Sequence, residues 1–341
     1  MNWKRALSLC VLGLCATTIT TIAVAEEVDE LDESEITYHQ VGEDETLGLI
    51  ALQYRVGIAE LKGWNQLDSI DVEPGMELIV KSDEEIDDGP SEPLPVVHIV
   101  RSGDTFEGIA RQYGVRISQV RSWNSNVNPR RLQIGQQVRL HIPGANGESV
   151  SWGRANGGQL YNGVAMEDGP GLRVRNQARA YGTQRVVNML SAAGADVKAR
   201  WPDAPELVVG SLSLRRGGSL RPHRSHQSGR DVDITYYHRG NVELPDFRDM
   251  SAETFDAVKN WHFLKTLIDT GEVQFIFVDY ELQRVLHEYA LSIGYTEDDL
   301  TEYLQYPRGR RVPEGIIRHA RGHRNHVHIR FTCGPKDKNC R

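Results

Sequence analysis

Thiols are scarce in this chain. Only four cysteines occur in 341 residues, and Cys10 and Cys15 fall in the first apolar stretch. The other pair, Cys333 and Cys340, frames a polar tail with a turn between them, so the thiols for a closed structural zinc site are missing. A pair this close in sequence predicts a small terminal disulfide in an oxidising compartment. Positive charge is also in deficit. With 39 Lys and Arg against 47 Asp and Glu, the formal net charge is -8, the wrong sign for a general nucleic-acid binder, which presents a basic surface. Beyond the N-terminal run, no segment is apolar and long enough to span a bilayer. Hydrophobic content of 39% and charged content of 25% describe a globular chain long enough for two or three domains.

The N-terminal run has the marks of a secretory signal over residues 1–25. Lys4 and Arg5 precede the apolar stretch, and Ala23-Val24-Ala25 offers a small-x-small cleavage site. The alternative is an uncleaved anchor; lipidation is disfavoured because Cys10 and Cys15 each follow a Leu. Residues 26–36 form an acidic, solvated leader.

An internal repeat comes next. Val41-Gly42-Glu43-Asp44-Glu45-Thr46 is echoed by Val100-Arg101-Ser102-Gly103-Asp104-Thr105, Ile50-Ala51 by Ile109-Ala110, Tyr54 by Tyr113 and Trp64-Asn65 by Trp123-Asn124. The units span 37–81 and 97–143, separated by an acidic, Pro-containing linker at 82–96. In each, a short strand meets a turn, Thr46 or Thr105 is placed to cap a helix, a second short helix follows and a strand closes the unit. The expected module is β-α-α-β. Over almost their whole length both units resemble the lysin motif (LysM) family. That resemblance implies binding of N-acetylglucosamine-containing glycans such as peptidoglycan or chitin. The first unit departs from the pattern at Glu43-Asp44-Glu45, which puts its glycan affinity in doubt.

Glycine-rich residues 144–158 open a C-terminal domain running to 341. Its pattern predicts a loop-rich start at 151–166, helices over 184–193, from Ser251 to Gly271 and over 281–293, and strands over 206–212, 231–236, 273–278 and 326–331. The expected class is α+β, with a central antiparallel sheet.

Two segments of this domain carry the chemistry: residues 223–234, with His223, His226, Asp231 and Asp233, and residues 323–329, with His323, His326 and His328. On a strand, residues two apart share a face. Asp231 and Asp233 therefore point one way and Val232 and Ile234 the other, and His326 and His328 lie opposite Val327 and Ile329. Gly229 allows the turn that brings His226 to the same ion as Asp233. Three ligands of the His/Asp/His kind with a water in the fourth position describe catalytic zinc.

Residues 152–333 resemble the penicillin-insensitive murein endopeptidases, within the wider group of zinc peptidases that includes lysostaphin-type and D-alanyl-D-alanine enzymes. The matching stretches are 213–218, 223–234 and 323–330. By that resemblance His226, Asp233 and His328 are the Zn2+ ligands, His326 activates or orients the water, and His223 and His323 are further active-site histidines. Asp231 is expected behind the ligands, holding an imidazole in its metal-binding tautomer. Asp279 is a candidate for a further acidic residue. The resemblance implies hydrolysis of D-alanyl-meso-diaminopimelyl cross-links by a periplasmic or secreted enzyme. The rival readings are D,D-carboxypeptidase or L,D-endopeptidase action, or a non-catalytic peptidoglycan-binding scaffold. For His262 and His287, on predicted helices, the expectation is a structural role.

Overall fold

The computed structural model describes residues 37–80, 94–113, 115–142, 148–337 and 340. The expected signal, acidic leader and most of the linker lie outside the described residues. Within them, the first repeat is strand β1 (Thr37–Gln40), helices α1 (Leu47–Gln53) and α2 (Ile58–Trp64), and strand β2 (Glu77–Val80). The second is β3 (Leu94–Ile99), α3 (Phe106–Tyr113), α4 (Ile117–Trp123) and β4 (Gln137–Ile142). Each pair of strands is antiparallel, as the β-α-α-β expectation requires. Residues 94–96, read as linker, instead open β3.

Side chains shared by the repeats explain why the motif folds. Thr46 accepts from the Leu49 amide at 3.2 Å and Thr105 from the Gly108 amide at 3.0 Å, capping their helices. The Asn after each Trp works on the backbone: Asn65 donates to Leu61 and Ile79 carbonyls and accepts from the Ile79 amide. Asn124 does the same for Val120 and Arg139. Glu45 takes the place of Asp104. Glu45 accepts from the Gly42 amide and meets His39 at 2.7 Å, as Asp104 accepts from the Arg101 amide and meets His98 at 2.8 Å. The departure in the first unit is therefore conservative in structure.

The C-terminal domain begins with a hairpin, β5 (Val150–Arg154) and β6 (Gly157–Tyr161), where the sequence pattern had predicted loop. Short strands β7 (Val164–Ala165), β8 (Leu172–Val174) and β9 (Tyr181–Gly182) lead to helix α5 (Gln184–Arg200). Then follow β10 (Leu207–Val209), β11 (Asp231–Ile234), α6 (Ala257–Asp269), β12 (Val273–Phe277), α7 (Tyr280–Ser292), α8 (Glu297–Tyr303), β13 (Ile317–Arg318) and β14 (Val327–Phe331). The main sheet runs β13-β12-β14-β11-β10-β8. Its centre is antiparallel, as expected, while the edge pairs β12/β13 and β8/β10 are parallel.

Three helices differ from expectation for identifiable reasons. α5 runs on to Arg200, beyond the expected end at 193 and through Gly194. A Cβ there would sit 2.6 Å from Leu172 Cγ, so the missing side chain lets β8 pack against the helix. α6 starts at Ala257 and not Ser251: Asp256 caps it by accepting from the Lys259 amide at 3.1 Å, and Ser251 and Thr254 close a turn instead. α8 went unread, although Thr296 and Asp299 form a capping box. Val258 on α6 is 39% exposed. Phe263, Leu264 and Leu267 are fully buried and join Val232, Ile234, Ile276 and Ile329 in the core. Each such side chain is worth about 2 kcal/mol. This apolar packing covers one sheet face and leaves the other to Asp231, Asp233 and His328.

Both repeats pack onto this domain. Tyr161, Val150 and Trp152 complete the core of the second repeat, and Arg116 donates to the Gly157 carbonyl. In the first repeat, Gly48 lies so close to α5 that a Cβ would fall 2.5 Å from the Ala192 carbonyl oxygen. Beside it the fully buried Asp196 accepts from Thr46 Oγ1 at 2.6 Å and from His262 Nε2 at 2.5 Å. Burial alone would raise the Asp196 pKa, but these partners and Arg200 hold it below the usual carboxylate range. A depressed folded-state pKa makes a contribution that is full above the unfolded value near 4 and fades as pH falls through the folded one. Asp196→Ala is expected to cost about 3 kcal/mol at neutral pH. Urea titrations at neutral and acidic pH should show the gap to wild type shrinking as pH drops below about 4.

Candidate metal centre

β11 and β14 pair antiparallel with Asp233 directly opposite His328 and Asp231 opposite Arg330. Strand alternation therefore brings the sequence-predicted groups together, as expected, with Val232 and Ile329 behind them. His326 lies one residue before β14 but reaches the same face. His226 arrives from the loop before β11 with φ +63°, a left-handed conformation rare for a non-glycine residue. Its backbone amide donates to Asp231 Oδ2 at 2.9 Å, which holds the strained residue in place. Gly229, at φ +73°, turns the chain under Leu160, where a Cβ would fall 2.8 Å from that side chain.

The Asp233 carboxylate is the centre of the cluster. Its Oδ2 is 3.3 Å from His226 Nε2 and 3.5 Å from His223 Nδ1. Its Oδ1 is 2.9 Å from His328 Nδ1 and 3.8 Å from His326 Nε2. His226 Nδ1 donates to the Leu212 carbonyl at 3.1 Å, which leaves Nε2 as the ring atom turned toward Asp233. A buried carboxylate ringed by imidazole nitrogens calls for positive charge among them, which a proton or a metal ion can supply. Donors bound tetrahedrally at about 2.0–2.1 Å lie about 3.3 Å apart, which is this spacing. His223, His226 and Asp233 place one ligand atom each within 4.8 Å of one another. His328 Nδ1 meets the other carboxylate oxygen, Oδ1, and is not part of that group, so in this geometry His223 stands where the expectation had put His328.

The electrostatics point the same way. Burial lowers the His328 pKa, but the Asp231 and Asp233 carboxylates outweigh it and raise it to about 9. Burial would raise the Asp233 pKa, yet the imidazoles of His226 and His328 hold it well below the ordinary range. The pair thus favours a positive charge at its centre. The flanking histidines behave differently: burial foremost lowers His326 to about 4 and depresses His223 and His323. They are neutral imidazoles at physiological pH. His326 Nδ1 faces Asn325 Oδ1 at 2.6 Å and its ring stacks on Phe247 at 4.7 Å, which directs Nε2 into the site. His323 Nδ1 faces the Ala320 and Arg321 carbonyls at 3.3 and 3.2 Å, and Tyr236 donates to the His323 carbonyl at 3.0 Å.

Asp231 works behind this group, as expected, though by another route. It fixes the His226 main chain while Leu212 sets the imidazole tautomer; His328 Nε2, buried and without a well-aligned acceptor, lies 3.4 Å from its Oδ1. Arg330 clamps Asp231 with Nε at 2.5 Å and Nη2 at 3.0 Å. The sequence reading quoted Arg330 without a role, and it missed Phe247 and Leu212. Strand parity was the available signal for Arg330, two residues beyond His328; no local pattern marks Phe247.

Asp279 does not join the site. It caps α7 by accepting from the Glu281 amide, and its own amide holds the His323 carbonyl. His262 and His287 pair with Asp196 and Glu297, and Gly217-Gly218 forms a turn packed on the Leu160 backbone. Cys333 and Cys340 form the expected disulfide. Arg330→Ala removes the guanidinium fork from the buried Asp231 charge, leaving it the His226 amide and His328, and is expected to cost about 3 kcal/mol. Arg330→Lys should recover only part of that in urea denaturation, because an ammonium cannot form the fork.

Comparison with known proteins identifies the domains, although the peptidase match ends before His323. The LysM domain family matches residues 39–81 and 98–140, and the penicillin-insensitive murein endopeptidase family matches residues 151–286. Autolysin of Enterococcus faecalis is 34% identical over 33% of this chain, and membrane-bound lytic murein transglycosylase D of Escherichia coli is 29% identical over 32%. The chain spans only 16% and 24% of the length of these two relatives. Penicillin-insensitive murein endopeptidase of Haemophilus influenzae is 26% identical over 58% of this chain and 68% of its own. The chain therefore carries two LysM domains followed by a domain of the penicillin-insensitive murein endopeptidase family.

Proposed function

We propose that the protein is a periplasmic or secreted zinc peptidase that hydrolyses the D-alanyl-meso-diaminopimelyl cross-links of peptidoglycan, with its LysM domains binding the glycan strands. The observation that carries the reading is the buried Asp233 carboxylate facing His226 Nε2 and His328 Nδ1, with His223 Nδ1 beside it. Two imidazoles and one carboxylate with further neutral histidines beside them suit Zn2+ better than a hard oxygen-seeking ion. When bound by His226, Asp233 and His328, the ion supplies a Lewis acid for the scissile carbonyl and acidifies a water.

The chain's own residues supply the rest. Asp231, clamped by Arg330, keeps His226 in its strained place and lies behind His328, while the Leu212 carbonyl keeps His226 in one tautomer. His326, neutral and oriented by Phe247 and Asn325, is the group placed to take a proton from the attacking water and return one to the leaving amine. His223 and His323 border the site on either side and offer donors or acceptors to the substrate amides. No step calls for a serine nucleophile, so β-lactams have no residue to acylate. Among the described residues no helix is long and apolar enough to cross a membrane. Because both LysM domains pack on the catalytic domain, glycan bound by them is held at a set distance from the site, which raises the local concentration of cross-links.

Digestion of purified sacculi, read by mass spectrometry, is the test. The full chain should turn cross-linked dimers into monomers without free D-alanine, unaffected by penicillin and abolished by a chelator. His226→Ala, Asp233→Asn and His328→Ala should each lose the bound metal by elemental analysis and the activity with it. Asp231→Asn should retain the ligands but weaken metal affinity about 10- to 100-fold. Release of D-alanine would replace this reading with a carboxypeptidase. Absence of metal, with His226→Ala leaving the cellular effect intact, would leave a peptidoglycan-binding scaffold.

A further inference from the structure

The two segments that bring histidines to the metal centre have a composition unlike the rest of the chain. Residues 213–230 contain five arginines and residues 318–330 contain four, and neither segment contains an aspartate or glutamate; the acids facing them are Asp231 and Asp233 in the site, Asp249 beside Arg324 and Asp279 at the base of His323. This happens in a chain where acids outnumber bases by 47 to 39. Three of these arginines are committed to the fold. Arg230 is buried and donates to Ser151 and the Phe331 carbonyl, Arg330 clamps Asp231, and Arg318 donates to the Gly315 carbonyl.

The other six are Arg215, Arg216, Arg221, Arg224, Arg321 and Arg324, and all are exposed. None of their guanidinium groups forms a hydrogen bond or ion pair with a described residue. Arg221 and Arg224 flank His223, and Arg321 and Arg324 flank His323, so unpaired cations sit on both segments beside the two bordering histidines. Packing does not require them, since exposed side chains contribute little to a core. Glutamine or lysine would serve for solubility. A planar guanidinium differs from both in offering a two-pronged donor that fits a carboxylate.

We propose that these arginines form a cationic collar that recognises an acidic peptide, with free carboxylates on both sides of the bond to be cut. This rests on the peptidase reading above and narrows its substrate class: the enzyme would discriminate against cross-linked peptides whose carboxyl groups are amidated. Cations concentrated at one cleft draw an anionic substrate toward it although the whole chain is anionic. Exposed pairs of this kind are individually weak and screened by salt, so the collar acts through binding and not through the chemical step.

Steady-state cleavage by the metal-replete full chain tests this, using purified cross-linked muropeptide dimers with free carboxyls and the same dimers amidated. The double variants Arg221→Gln with Arg224→Gln, and Arg321→Gln with Arg324→Gln, are compared with wild type. For the free-carboxyl dimer each double variant should raise KM about tenfold with little change in kcat. Amidated dimers should show a comparably raised KM in wild type and no further effect of the variants, and the wild-type preference should shrink as salt is added. Equal KM for free and amidated dimers, or variants that raise KM for both alike, would overturn the collar while leaving the peptidase intact. Cleavage of neither dimer would remove the peptidase reading and the collar together.

Discussion

A buried carboxylate among imidazoles is the constraint on which the catalytic domain depends. Asp233 is almost wholly removed from solvent, and four histidine nitrogens approach it within 3.8 Å. Such a group is tolerable only when a cation neutralises it. The surrounding fold is arranged to keep that charge demand fixed in space: Arg330 secures Asp231, Asp231 secures the His226 backbone, and the Leu212 carbonyl secures the His226 ring. Behind the same strands, Val232, Ile234 and Ile329 pack against helices and leave no freedom for register slip. Polar face and apolar face are thus two consequences of one alternation.

The LysM domains are not beads on a loose string. Gly48 and Thr46 in the first repeat meet α5 at a fully buried acid, and the second repeat shares its core with the hairpin that opens the catalytic domain. Asp196 links three elements, because His262 on α6 holds its other oxygen. A carboxylate at such a junction stabilises the docked arrangement only while it is ionised and fully bonded. The LysM domains and the C-terminal domain therefore form continuous packing, with α5 as the wall for the first repeat and the β5–β6 hairpin for the second.

Much of this was legible before any coordinates. The repeat period exposed the β-α-α-β modules, and the turn residues marked their caps. Period-two alternation split 231–234 and 326–329 into site-facing and core-facing halves, and the structure places Asp233 opposite His328 as that split requires. Where the reading failed, the cause was a contact distant in sequence. The helix expected to end at 193 runs on through Gly194, because β8 packs against it there. Ser251 looked like a cap, but Asp256 holds that position. Asp279 looked like an active-site acid, but it serves α7.

The division follows from the range of the forces. Spacing, parity, turn chemistry and the donor set are local properties of the chain, so the histidine-aspartate cluster, the terminal disulfide and the two modules could be read from sequence alone. Which carbonyl fixes His226, which ring steadies His326, which arginine restrains Asp231 and how the LysM domains dock are decided by residues up to 150 positions apart. Except for Arg330, which strand parity places beside Asp231, no local pattern encodes those meetings; they exist only once the sheet and helices have closed around a shared core.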